Sequence, residues 1–77
     1  MPVNLWIAFK DKETYLEKEK ELLELLSTCK GGDKVMIALA KERQSKALPV
    51  EYRVDASEPF VKQLKSIYGE EFVKVVV

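Results

Sequence analysis

Few residues in this chain are of a type that could carry out a reaction. It has no histidine and a single cysteine, Cys29. The commonest general base is therefore missing, and no thiolate–imidazole pair or zinc-type cluster can be assembled. Cys29 falls on the apolar stripe of a helical pattern, where a packed thiol is expected rather than a nucleophile. No Ser/His or paired-carboxylate arrangement stands out. Gly31-Gly32 has no further glycine, Lys-Ser/Thr pair or following helix to make a phosphate loop, so it reads as a helix stop. No catalytic, metal-binding or cofactor-binding residue is assigned, and no cofactor is expected.

Residues suited to recognition remain. Lys41, Arg43 and Lys46 make KERQSK the only locally basic segment, but Glu42 interrupts it and a surface turn fits it better than a phosphate contact. Trp6 and Tyr52 lie on strand-like segments and are the aromatics able to anchor a partner if exposed. The charged run from Lys10 to Lys20 alternates in sign. Glu17 and Glu21 stand at helical neighbour spacing from Lys18 or Lys20, the pattern of a solvated helix face.

The elements that must position these residues follow from periodicity. Val3, Leu5, Ile7 and Phe9 alternate with Asn4, Trp6, Ala8 and Lys10, which predicts a first strand. Its outward set is partly apolar, so it should be central or covered on both faces. Asp11 is placed to cap a helix over residues 12–28, with Tyr15, Leu16, Leu22, Leu23, Leu26 and Cys29 on its apolar stripe. Val35 to Ala40 contains no polar residue and reads as a buried strand. Lys41 to Lys46 would be a hairpin tip or loop. Val50, Tyr52 and Val54 alternate with Glu51, Arg53 and Asp55 as a third strand, with Pro49 at its start. Ser57 and Pro59 open a second helix over 58–68, whose stripe is Phe60, Val61, Leu64, Ile67 and Tyr68. Gly69 ends it before a final strand from Phe72 to Val77.

The order is β-α-β-β-α-β, an α/β (α+β) two-layer domain with a four-stranded sheet and two helices. A ferredoxin-like antiparallel sheet is the first expectation, and an incomplete Rossmann-like, partly parallel order the alternative. At 77 residues the chain is one domain, 1–77, near the lower limit for a core without metals or disulfides. With 47% hydrophobic residues, it can still build one. Thirteen basic and 13 acidic residues cancel. A general nucleic-acid binder would carry a basic excess, so strong direct binding of nucleic acid is not expected. No apolar run is long enough to span a membrane, and a free thiol without an export signal suggests the cytoplasm.

Two segments are more specific than the rest: LPVEYRVDAS (48–57) and LKSIYGEEFVKV (64–75). With Asn4-Leu5-Trp6-Ile7, the leucines of 22–26 and Gly32-Asp33-Lys34-Val35, the whole chain resembles the C-terminal subdomain of the bacterial DNA polymerase III alpha subunit, DnaE type. The resemblance implies that these residues end a much longer chain that copies DNA by metal-dependent nucleotidyl transfer. Its catalytic carboxylates, clamp-binding peptide and oligonucleotide-binding domain would lie upstream. It further implies a non-catalytic module that engages the clamp-loader tau subunit or other replisome proteins. The alternative is a regulatory domain of ferredoxin-like topology that binds a small molecule. Its weakness is that the first strand-to-helix connection, Lys10-Asp11-Lys12, lacks a glycine.

Overall fold

The computed structural model describes residues 3–76. Strands β1 (Asn4–Phe9), β2 (Lys30–Leu39), β3 (Gln44–Ala47) and β4 (Val73–Val76) form one sheet in the order β3-β2-β1-β4. Helix α1 (Lys12–Ser27) joins β1 to β2, and α2 (Glu58–Tyr68) joins β3 to β4. The fold is a two-layer α+β domain with a four-stranded mixed sheet. β1 and β2 are parallel neighbours, Leu5 opposite Val35 and Ile7 opposite Ile37. β3 runs antiparallel to β2, and β4 antiparallel to β1. The partly parallel order is thus the one adopted, not the ferredoxin-like one. In the first half, β1, α1 and β2 form a unit with adjacent strands. In the second, α2 carries the chain from one edge of the sheet to the other.

Both helices pack on the same sheet face. Leu5, Ile7 and Phe9 of β1, Val35, Ile37 and Leu39 of β2 and Val73 of β4 are buried with Tyr15, Leu22 and Leu26 of α1 and Phe60, Val61 and Leu64 of α2. Phe9 lies edge-on to Tyr15 and Tyr68, with ring centroids 5.2 and 5.8 Å away. The strands alternate because successive side chains leave opposite faces. The helices commit to this face because their apolar residues recur every three or four positions. Leu16, Val50 and Ile67, expected inside, are instead exposed, Val50 by 70%. Leu16 and Ile67 sit on the margins of their helical stripes, and Val50 lies outside any strand.

Asp11 caps α1 as expected: its carboxylate accepts the Thr14 N–H at 2.8 Å, which holds its pKa below the ordinary value. Ser57 occupies the corresponding position before α2 in extended conformation, but its hydroxyl makes no capping bond. The stop for α1 is Thr28, not Gly31-Gly32: the Thr28 N–H donates to the Leu25 carbonyl and the Cys29 N–H to the Leu26 carbonyl, and both glycines belong to β2. Gly31 is needed there for another reason. A Cβ on it would lie 2.5 Å from the Asp55 backbone nitrogen, so only glycine lets the two segments approach. Gly69 does end α2, at φ +107°, with its N–H on the Lys65 carbonyl.

The third strand lies earlier than the periodicity predicted. Gln44–Ala47 pairs with Met36–Leu39, whereas Val50–Tyr52 is a 3₁₀ turn. A tight hairpin with Arg43 in the left-handed region (φ 53°) folds the chain back at once, so the residues just past the turn take the ladder positions. An edge strand gains those hydrogen bonds whatever its side chains, and polar Gln, Ser and Lys suit an edge. Val54 retains isolated bridges to Lys30 and Asp33 and is fully buried. The Gly31 N–H donates to the Arg53 carbonyl and the Asp55 N–H to the Cys29 carbonyl. The Asp33 carboxylate completes this seam, accepting the backbone N–H groups of Ala56 and Val3, each at 2.9 Å.

Candidate functional site

The sheet face turned away from the helices is the surface best suited to recognition. Residues paired across a ladder share a face. One row of this face is Lys74, Trp6, Met36 and Ala47, running from β4 across β1 and β2 to β3. The next row toward the ends of β1 and β2 is Ala8, Ala38 and Ser45; on the other side lie Val76, Asn4 and Lys34. Trp6, Ala8, Met36 and Ala38 are half-buried, screened by sheet neighbours, while Ala47, Lys34, Lys74 and Val76 are exposed. Neither helix lies on this side. The result is a flat apolar centre with one indole, bordered by ammonium groups.

The sequence-derived partner residues do not converge. Trp6 stands at the centre of the open face. Lys41 and Arg43 are exposed on the β2–β3 turn, and the Lys41 N–H donates to the Lys10 carbonyl. Lys46 points to the helix side: its ammonium sits 4.6 Å from the Tyr15 ring centroid and 3.9 Å from a Glu19 carboxylate oxygen. Tyr52 is half-buried on the 3₁₀ turn that packs against α1 and β2. Met36, Ala38, Ala8 and the lysines 34 and 74 were not singled out from sequence. The signal was available, since both central strands carry apolar residues at alternate, outward positions.

Electrostatics separates the seam from the sites. The N–H donors of Ala56, then Val3, stabilise ionised Asp33 and hold its pKa below the ordinary carboxylate value. Burial, reinforced by Glu19, pushes the Tyr15 phenol well above its usual range, and burial with Glu21 nearby raises Tyr68. Both rings pack edge-on against Phe9. Cys29 is half-buried against the core, its thiol 3.5 Å from the Asp55 carbonyl.

The cavities are open grooves. One of about 420 Å³ runs along the outside of α2 between Glu58, Lys62, Lys65 and Glu70. Another, about 360 Å³, lies between α1 and α2 over Leu25, Ile67 and Tyr68, with Glu21 and Glu24 at its rim. Among the described residues no group of three or more Cys, Asp or Glu side chains is placed to hold a metal, and no helix is long and apolar enough to cross a membrane. No family model, curated protein or solved structure matches this chain.

Proposed function

We propose that this domain is a non-catalytic protein-docking module, the C-terminal subdomain of a bacterial replicative DNA polymerase of the DNA polymerase III alpha type. In this reading it holds the cytoplasmic polymerase to the clamp-loader tau subunit or another replisome protein. The observation that carries the docking role is the uncovered apolar face around Trp6. Trp6, Ala8, Met36 and Ala38 stand side by side at the centre of that face with no helix over them, and an aromatic in such a patch is a common anchor for a protein partner. The polymerase assignment rests on the likeness of residues 48–57 and 64–75 to that family.

The test is to titrate end-labelled domain separately with tau and with single-stranded oligonucleotide. A saturable complex with tau that Trp6→Ala weakens is the expected result. Oligonucleotide should bind only at the non-specific level, roughly 10⁻⁴–10⁻⁶ M and steeply salt-dependent. Tight, salt-resistant oligonucleotide binding with no response to tau would overturn the reading and direct attention to Lys41, Arg43 and Lys46. The purified chain should incorporate no nucleotide with any divalent metal; detectable incorporation would remove the non-catalytic assignment.

A further inference from the structure

The open face also carries information about what covers it. None of the chain's 13 carboxylates occupies a strand position on this face, whereas Lys34 and Lys74 both do, in adjacent rows toward the start of β1. Glu42, the acidic residue of the β2–β3 turn, is drawn to the other side, where it accepts the Lys12 N–H at the start of α1. Among the described strand positions this face carries cations and no anions, a local imbalance in a chain of zero net charge.

We infer that the occupant is one amphipathic α-helix of a partner protein, apolar along one stripe and acidic on the flank that reaches Lys34 and Lys74. This rests on the docking role proposed above. The apolar area spans the two central strands, a width of about 10 Å with their side chains, comparable to a helix diameter. Ala8 and Ala38 lack bulk, so a helix backbone can approach closely over their row, while Trp6 and Met36 rise beside it to fill the groove between its side chains. A third layer of this kind would take the half-buried Trp6 and Met36 out of water. A second copy of this chain is disfavoured as occupant, because face-to-face pairing would bring four lysines and no carboxylate into one interface.

Trp6 is the only tryptophan, so its emission reports on this face alone. The probes are a tryptophan-free synthetic helix of about 18 residues, long enough to cross the sheet, with a Leu/Ala stripe and glutamate flanks, and its lysine-flanked twin. The glutamate peptide should shift Trp6 emission to the blue and bind about tenfold more tightly than the twin at low salt, the preference shrinking as salt rises. Lys34→Glu with Lys74→Glu should reverse that order. Both side chains are exposed, so far-ultraviolet circular dichroism should be unchanged. If the double variant does not fold, Lys34→Ala and Lys74→Ala should each weaken the glutamate peptide.

Equal affinity for the two peptides, an order unaffected by the lysine changes, or tighter binding of oligothymidylate than of the glutamate peptide would overturn the inference. If any of these holds while tau still binds through Trp6, the acidic helix is removed and the docking face stands. If the glutamate peptide binds as described and tau does not, the tau partner is removed and the acidic helix stands.

Discussion

The two faces of the sheet are made by alternate residues of the same strands, yet they differ in cover and in composition. On one, Leu5, Ile7, Val35 and Ile37 are buried beneath two helices with 1% exposure or less. On the other, Trp6, Ala8, Met36 and Ala38 remain half-open, with lysines beside them. The covered face is large, branched and neutral, which is what close packing against helices requires. The open face mixes a tryptophan with alanines and places lysines beside them, which suits contact with something outside. A β-strand separates the two faces residue by residue, so under the proposed docking role stability and recognition could change independently along one segment.

The sharpest break in that comparison comes from the covered side. Leu64 of α2 is fully buried over the sheet, and Leu64→Ala should cost about 2–5 kcal/mol. A domain of this size has ~5 kcal/mol in all, so chemical denaturation should find the variant largely unfolded. A loss under about 1 kcal/mol would mean that the helix layer is not the main source of stability.

Gly31→Ala probes the seam between the start of β2 and residues 53–55. The added methyl meets backbone rather than a movable side chain, so a loss of about 1–3 kcal/mol is expected from overpacking. Amide exchange should be accelerated at Asp55, whose N–H bonds the Cys29 carbonyl. Unchanged exchange there would show that the two segments do not depend on close approach.

Asp33→Ala removes the acceptor for two backbone donors and should cost about 1.5–3 kcal/mol at neutral pH, the range for hydrogen bonds to a charged group. The folded-state pKa lies below the ordinary 3.8. Its contribution is therefore complete above that value and disappears as pH falls through the lower, folded-state one. Stability of the parent chain should drop more steeply than that of the variant as the pH is lowered below about 4. Parallel pH profiles would exclude Asp33 as a source of acid sensitivity.

The smallest effect should come from the open side. Met36→Thr exchanges a half-open side chain for a β-branched one and should change stability by about 1 kcal/mol or less. The same replacement one residue away, Ile37→Thr, puts a hydroxyl into the core and should cost several-fold more. Measured side by side in urea, equal losses would mean that the two faces are equally buried in solution and that the outer one is already covered.

The element types, both helices, the Asp11 cap and the covered face were fixed by local chemistry: apolar periods of two and three-to-four, a capping carboxylate and a glycine at positive φ after α2. These are properties of neighbours in sequence. Strand order was not of this kind. That β2 lies beside β1 in parallel is set by the crossover through α1, and that Gln44–Ala47 rather than Val50–Val54 closes the edge is set by the tight turn at Arg43. Side-chain patterning carries no record of backbone pairing at an edge. The same holds for Gly31 and Asp33, whose partners at Asp55, Ala56 and Val3 are more than 20 residues away. For the site, Trp6 was legible as an aromatic on a strand. Its grouping with Met36, Ala8, Ala38, Lys34 and Lys74 was decided by the register between strands, because only pairing brings residues some 30 and 70 positions apart onto one face.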